Sequence, residues 1–104
     1  MNDVAERVLS TVSAIPSGRV MTYGEVARAA GTGARAVGQV LRDGGHDLPW
    51  WRVVDARGRP AEGAAREALA RFLEESTPVL HGGGDVRVDL DRAAWSTDAP
   101  ASDS

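Results

Sequence analysis

The sequence predicts a mostly α-helical domain with a small β element, arranged as a helix-turn-helix or winged-helix-like fold. Apolar residues recur at helical spacing in several segments. Two of these segments are separated only by a short turn that contains glycine. Apolar and polar residues alternate with period two, the pattern of a strand, only in a short stretch in the second half of the chain. A chain of 104 residues, 42% of them hydrophobic, suits one compact domain with its own core.

The first half of the chain opens with two predicted helices. The first runs over residues 3–14 and ends before Pro16 and Gly18, which break its apolar stripe. Thr22 and Glu25 have the spacing of a capping box, so they predict the start of the second helix. That helix is expected to continue to about residue 30, where the next residue, a glycine, supplies the left-handed position after its end.

A third helix is predicted from Ala34 to about Arg42, and its two faces differ. Val37, Val40 and Leu41 share one face at 100° per residue. Arginine and glutamine donate to phosphates and base edges, and glycine permits close approach. Periodicity alone leaves two interpretations open, a nucleic-acid-reading face or an ordinary solvated face. The outward set is Arg35, Gly38, Gln39 and Arg42.

The second half contains one further helix and short extended segments. Residues 53–54 predict a short strand, and residues 86–90 alternate as a strand whose hairpin partner is residues 79–80. Residues 64–75 predict an amphipathic helix. We expect residues 1–95 to form the domain and residues 96–104 to be a disordered tail. In the amphipathic helix, the predicted inward residues are Ala65, Ala68, Leu69, Phe72 and Leu73, with Glu67 and Arg71 paired outside.

Charge is distributed unevenly along the chain. The formal net charge is −3, which by itself disfavours a nucleic-acid partner. Residues 16–60, however, carry seven arginines against four acids, whereas residues 61–104 carry four arginines against nine acids. The first of these segments therefore has the local excess of positive charge that attracts phosphates.

Composition excludes several kinds of chemistry. The chain has no cysteine, so it has no disulfide, no thiolate metal site and no thiol nucleophile. Its two histidines, His46 and His81, lack metal-ligand spacing, and we expect neither a metal nor a cofactor. We find no signal-peptide pattern and no membrane span. The expectation is a monomeric cytoplasmic protein.

Three stretches, in this order and spacing, resemble the C-terminal domain of the O6-alkylguanine-DNA alkyltransferases. They are IPSGRVMTYGEVA at 15–27, ARAVGQVLR at 34–42 and LPWWRVV at 48–54. In those enzymes the third stretch reads Pro-Cys-His-Arg-Val, and the cysteine accepts the alkyl group. Here Trp50 stands at the cysteine position and Trp51 at the histidine position. Replacement of the cysteine by tryptophan is typical of the alkyltransferase-like proteins, the non-enzymatic relatives.

This resemblance implies a function and a set of site residues. Alkyltransferase-like proteins bind O6-alkylguanine in double-stranded DNA from the minor groove, rotate the base into a pocket and pass the site to nucleotide excision repair. The resemblance implies that Tyr23, Arg35, Gly38, Gln39 and Arg42 contact DNA. It also implies a lesion pocket that includes Tyr23, Trp50 and Arg52. In some relatives an arginine after the Pro-Trp motif contacts the base; Arg57, Arg59 and Arg66 are the candidates here, and we select Arg59.

Two other classes of function compete with this interpretation. A winged-helix transcription regulator that reads an operator would use the same helix-turn-helix, but it gives the Pro-Trp-Trp-Arg-Val stretch no role. An enzyme with acid or histidine chemistry in place of the thiol would need a cluster of such residues, and the sequence suggests none.

Overall fold

The computed structural model describes residues 3–80 and 84–96. Two short strands pair in parallel, and a single 3₁₀ turn precedes the second of them. The predicted fold class, mostly helical with a small β element, is confirmed. Most of the predicted tail, from residue 97 onward, lies outside the described residues. The elements are α1 (Asp3–Ser13), β1 (Met21–Thr22), α2 (Tyr23–Ala30), α3 (Ala34–Gly44), the 3₁₀ turn (Trp50–Arg52), β2 (Val53–Val54), α4 (Ala65–Glu75) and α5 (Leu90–Ala93).

The start and end of α2 follow directly from local sequence. The Glu25 N–H donates to the Thr22 hydroxyl at 3.1 Å, and the Thr22 N–H donates to the Glu25 carboxylate at 2.9 Å. This reciprocal pair is the predicted capping box. Gly31, with φ of 75°, takes the left-handed conformation that ends the helix. The sequence therefore places Tyr23 at the first position of α2.

Helix α3 is two residues longer than the prediction, which ended it at Arg42. It continues to Gly44, and the Gly45 N–H caps it by donating to the Leu41 carbonyl at 2.9 Å. A Cβ at Gly45 would lie 2.8 Å from that same oxygen, so the close backbone approach requires glycine there. The helix therefore ends at this close approach and not at its last arginine.

The two-stranded sheet separates two apolar clusters. Its register pairs Met21 with Val53 and Thr22 with Val54. Because successive strand residues point to opposite faces, Met21 and Val53 enter the cluster formed with α1, α2 and α3. Val20 and Val54 enter the second cluster, with α4 and α5. The sheet thus joins the helix-turn-helix to the second half of the chain.

Three predictions for the second half are wrong. Residues 86–90 do not form a strand, because α5 begins at Leu90. Their predicted partner segment is correct, since Val88 makes an isolated antiparallel bridge to Val79 and the Leu80 N–H donates to the Arg87 carbonyl at 2.8 Å. On α4, Leu73 is 63% exposed and Ala65 is also exposed, so neither faces inward. The inward stripe of α4 is narrower than predicted, and only Ala68 and Phe72 are fully buried.

The predicted outer ion pair on α4 is also wrong. Arg71 does not pair with Glu67 but lies 3.7 Å from the Glu74 carboxylate, and its guanidinium also stacks over the Trp51 ring. Tertiary contact with Trp51 therefore competes with the i,i+4 partner on the helix. Within residues 3–80 and 84–96, no helix has the length and apolar character needed to cross a membrane.

Candidate nucleic-acid interface

Helix α3 presents the predicted polar set away from the core. Val37 is fully buried, and Val40 and Leu41 pack against the first apolar cluster, so the predicted inward face is confirmed. Arg35, Gln39 and Arg42 are exposed on the opposite side, and Gly38 is partly exposed between them. The helix therefore offers two cations, one amide and a side-chain-free position to a partner.

The amide of Gln39 is held in a fixed orientation by its neighbours on the helix. Its Nε2 donates to both oxygens of Asp43, at 3.2 and 3.0 Å, while its Oε1 accepts from Arg42 Nη2 at 3.1 Å. Arg35 has no side-chain partner among the described residues. At one end of α3 an unpaired guanidinium is therefore available, whereas at the other end the polar groups form a network.

Tyr23 lies where α2, α3 and β2 meet. Its ring is half-buried against the first apolar cluster. Burial raises the pKa of the phenol, the positive charge of Arg42 opposes this rise, and the negative charge of Asp55 adds to it. The phenol therefore stays protonated at neutral pH and can donate a hydrogen bond. The same charges place Tyr23 within electrostatic reach of both the end of α3 and the segment after β2.

The Pro-Trp-Trp-Arg segment forms the 3₁₀ turn that leads into β2. The Trp50 ring is half-buried against the second apolar cluster and meets the Trp51 ring edge-on, with centroids 5.7 Å apart. The Arg52 and Arg71 guanidiniums lie 5.5 and 4.8 Å from the Trp51 centroid. These contacts give Trp51 a packing role. Both indoles are half-buried, and both pack against the second apolar cluster.

The indole nitrogen of Trp51 is buried. Its Nε1 makes no hydrogen bond of normal geometry within the described part of the chain, although its N–H still favours the charged form of the Glu75 carboxylate. The polar edge of the Trp51 indole is therefore turned into the protein, while the residue as a whole is half-buried.

Arg52 connects three separate segments of the chain. Its Nε donates to Glu75 Oε1 at 3.0 Å, its Nη2 donates to Oε2, and its Nη1 donates to the Ile15 carbonyl at 2.8 Å. The Gly18 N–H donates a third hydrogen bond to the Glu75 carboxylate, at 3.2 Å. We call these four residues the Arg52 clamp. It ties the 3₁₀ turn to the loop after α1 and to the end of α4.

The Glu75 carboxylate is charged within this clamp. Burial alone would raise the pKa of Glu75, but hydrogen bonds from Arg52 and Gly18, together with the Arg52 charge, outweigh burial and lower it. The pair is largely shielded from water, with 16% of the Arg52 side chain and 11% of the Glu75 side chain exposed. Such a bidentate pair fixes orientation as well as position.

Arg59 is committed to a different contact. Its Nη2 lies 3.4 Å from Asp85, and its Nε is buried without a hydrogen-bond partner in the described residues. Its backbone closes a tight turn, because Asp55 Oδ1 accepts from the N–H groups of Arg57 and Arg59 at 2.8 and 2.9 Å. The structure thus places Arg59 beside the turn that follows β2.

The predicted pocket residues do not all line one cavity. A cleft of about 390 Å³ lies on the side of the 3₁₀ turn that contains Trp51 and Arg52, and Tyr23, Trp50 and Arg59 are not part of its wall. Tyr23 lies instead within electrostatic reach of Arg42 at the end of α3 and of Asp55 after β2. The cleft is lined by Ser13, His46, Asp47, Leu48, Pro49, Trp51, Arg52 and Arg71.

Two residues of this region escaped sequence reasoning. Glu75 is the partner of Arg52 across 23 positions, and Asp55 organises the turn after β2. An Asp three residues before a turn glycine, as Asp55 is before Gly58, carries a recognisable signal, because aspartate side chains accept hydrogen bonds from nearby backbone N–H groups. Glu75 carries no such signal, since nothing in a helical pattern shows which distant arginine it meets.

Comparison with known families agrees with this architecture. Residues 3–76 match the family model described as the DNA-binding domain of 6-O-methylguanine DNA methyltransferase. The chain therefore belongs to that family.

Particular relatives are alkyltransferase-like. The chain is 41% identical over 100 residues to the DNA base-flipping protein of Escherichia coli (strain K12), covering 88% of this chain and 73% of the relative. It is 31% identical over 104 residues to Alkyltransferase-like protein 1 of Schizosaccharomyces pombe, covering 91% and 96% of the two chains. The resemblance predicted from the three motifs is confirmed.

Solved structures give the same assignment. S. pombe Atl1, crystallised in complex with damaged DNA containing O6-carboxymethylguanine, superposes with a TM-score of 0.81 at 30% identity, covering 92% of this chain and 97% of that one. The Mycobacterium tuberculosis O6-methylguanine methyltransferase superposes with a TM-score of 0.58 and 30% identity, and only 53% of its chain is covered. The present chain thus corresponds to one part of the enzyme and to nearly all of Atl1.

Proposed function

We propose that this chain is a non-catalytic DNA damage recognition protein. It binds O6-alkylguanine in double-stranded DNA through the minor groove, rotates the lesion base into a pocket and flags the site for nucleotide excision repair, acting as a monomer. The observation that carries the proposal is the superposition, over 92% of the chain, on a protein solved with damaged DNA. The basic balance of residues 16–60 supports a DNA partner.

The absence of alkyl transfer follows from the missing nucleophile. Transfer requires a thiolate to attack the alkyl carbon and release guanine, and the chain has no cysteine. Trp50 stands where the enzymes' Pro-Cys motif has its thiol, and an indole offers no comparable nucleophile. The lesion is therefore bound and left chemically unchanged.

The proposed duplex surface is the outer face of α3. Arg35 and Arg42 are exposed cations for phosphates, and Gly38 and the small residues beside it allow the helix to enter a narrow groove. Gln39 is oriented by Arg42 and Asp43 before DNA arrives. Binding of undamaged sequence is expected to be mostly electrostatic.

Rotation of the base uses residues beside that surface. Unstacking costs on the order of a few kcal/mol, and the cost is lower when alkylation has weakened pairing. Arg35, unpaired in the free protein, fills the gap left in the stack. Tyr23, a buried neutral donor, crowds the phosphate 3′ to the lesion. Trp50 contacts the extruded base.

Arg52 and Arg59 have supporting parts in this proposal. The Arg52 clamp holds the 3₁₀ turn, and with it the Trp50 ring, in position. Arg59 lies on the turn after β2, outside the wall of the Trp51 cleft, and its ion pair with Asp85 must open before its guanidinium meets the base. The proposed contribution of Arg59 is consequently smaller than that of Trp50.

The experiment that tests this function is a competition between three duplexes. One contains a single O6-methylguanine, one is its undamaged match, and one is an unrelated sequence, all at the same length and salt concentration. We expect the protein to prefer the damaged duplex and to treat the other two alike, and its mass after binding to be unchanged. A preference for one undamaged sequence would favour a winged-helix regulator, and a gain of about 14 Da in the protein, with guanine restored, would identify an enzyme.

Replacing Arg35 with alanine is expected to weaken binding of the damaged duplex more than binding of the undamaged duplex. An intercalating side chain acts only where a base has left the stack, whereas a phosphate contact acts on both duplexes. The measurement is the dissociation constant of each duplex for the wild type and Arg35→Ala, with Arg28→Ala on the exposed side of α2 as a control. Equal losses on both duplexes would reduce Arg35 to a phosphate contact.

A further inference from the structure

The parallel sheet brings the turn after β2 next to the proposed DNA surface. In β1 and β2, Thr22 is paired with Val54, so the next residues, Tyr23 and Asp55, leave the sheet at the same edge. The Asp55 charge acts on the Tyr23 phenol, and so does the charge of Arg42 at the end of α3. The Asp55–Gly58 turn is therefore a neighbour of the helix-turn-helix, although it is more than ten positions away in sequence.

This turn has a fixed backbone. The Gly58 N–H donates to the Asp55 carbonyl and the Asp55 N–H donates to the Arg59 carbonyl, both at 2.9 Å. The Val88 N–H donates to the Gly58 carbonyl at 2.8 Å, and a Cβ at Gly58 would lie 2.4 Å from the Val88 oxygen. With φ of 86° as well, only glycine fits at position 58. The turn is therefore fixed against the backbone bridge between Val79 and Val88, and its other residues extend from a rigid backbone.

The two arginines of this segment differ in what they are free to bind. Arg59 pairs with Asp85, and its Nε is buried. Arg57 is exposed, its backbone N–H is held by Asp55 Oδ1, and its guanidinium has no partner within the described residues. The rigid turn therefore fixes the backbone of Arg57 in the segment that leaves the sheet next to Tyr23. The described residues provide no partner for the positive charge of Arg57.

We propose that Arg57 binds a phosphate of the DNA backbone and grips the duplex from the Asp55–Gly58 turn, outside the helix-turn-helix. The inference rests on the proposed function, because it assumes that DNA lies along α3. A phosphate is the partner of choice, since an exposed arginine on a fixed backbone suits bidentate recognition of phosphate oxygens. The contact carries no sequence or lesion information and therefore adds equally to all duplexes.

The test compares Arg57→Ala with Arg92→Ala, which removes an exposed arginine of α5, and with Arg57→Lys. Dissociation constants are measured between about 50 and 200 mM salt for damaged and undamaged duplexes, after circular dichroism has shown that each variant is folded. Loss of one phosphate contact should lower the salt slope by about 0.9, so the wild type loses roughly threefold more affinity than Arg57→Ala across this range. Arg57→Lys should keep most of the slope, and Arg92→Ala should leave it unchanged.

Each other outcome has a definite meaning. An unchanged slope in Arg57→Ala, or an equal reduction in Arg92→Ala, refutes the role of Arg57 while leaving the proposed function in place. A loss confined to the damaged duplex also refutes it, because a phosphate contact acts on both. A wild type that binds no duplex refutes the proposed function and this inference together.

Discussion

Arg52→Ala is expected to lower the free energy of unfolding by about 2–4 kcal/mol, somewhat below the cost of removing one partner from a fully buried ion pair, because both side chains keep some exposure. The substitution leaves the Glu75 carboxylate buried without its cation, and it leaves the Ile15 carbonyl without a donor. Domains of this size have a total stability of about 5–15 kcal/mol, so the loss is a large share of the whole. Urea unfolding followed by circular dichroism measures it.

Two control variants separate the clamp from general surface effects. Arg71→Ala removes another guanidinium that contacts Trp51, but its side chain is 44% exposed and its ion pair is long, so a loss of under about 1 kcal/mol is expected. The double variant Arg52→Met/Glu75→Leu removes both charges together and should lose less than either single variant. A loss below 1 kcal/mol for Arg52→Ala would contradict the clamp.

The clamp also predicts how stability depends on pH. Because the pKa of Glu75 is lower in the folded state than in the unfolded chain, the carboxylate adds stability above its ordinary pKa of about 4.3. This stability is lost as the pH falls through the lower, folded-state value. The difference in unfolding free energy between wild type and Glu75→Gln should therefore be constant near neutrality and shrink below about pH 4. Glu67→Gln, at an exposed position of the same helix, serves as the matched control.

Features that depend on neighbouring residues could be predicted from the sequence. The capping box of Thr22 and Glu25 and the left-handed Gly31 fix both ends of α2. The apolar spacing of Val37, Val40 and Leu41 gives the correct orientation of α3. These signals are local because the hydrogen bonds and the helical repeat involve residues only three or four positions apart.

Features that depend on distant partners could not be predicted. Apolar and polar residues alternate over 86–90 as in a strand, yet residues 90–93 form a short helix. The end of that helix is fixed by backbone hydrogen bonds of Val20 with Ala93 and Trp95, which are more than 70 positions away in sequence. The pairing of β1 with β2 and the clamp between Arg52 and Glu75 cross 32 and 23 positions, and neither has a sequence pattern of its own. The site roles of Tyr23, Arg35 and Trp50 come from resemblance and remain predictions.

Trp50→Ala is expected to weaken binding of the damaged duplex by about 1–3 kcal/mol, the range for losing one contact between a base and an aromatic ring. That is roughly a 5-fold to 150-fold rise in the dissociation constant. The dissociation constant of the undamaged duplex should hardly change, since its bases remain stacked. Competition between the two duplexes measures both effects in one experiment.

Two further variants make the result interpretable. Trp51→Phe keeps an aromatic ring between Arg52 and Arg71, so it should change the binding of damaged duplex far less. Trp50→Phe preserves part of the packing against the second apolar cluster and should retain part of the selectivity. If Trp50→Ala is folded and binds both duplexes like the wild type, Trp50 only fills space.

The most direct test of the account is tryptophan emission during titration with the damaged duplex. The chain has three tryptophans, at positions 50, 51 and 95, so the signal is assigned by comparing the wild type with Trp50→Phe. Contact with an extruded base should quench Trp50, while a stacked, undamaged duplex should leave its emission unchanged. The account predicts quenching that requires both O6-methylguanine and Trp50. Equal quenching by undamaged duplex, or quenching that persists fully in Trp50→Phe, would contradict the proposal that the lesion base is rotated against this indole.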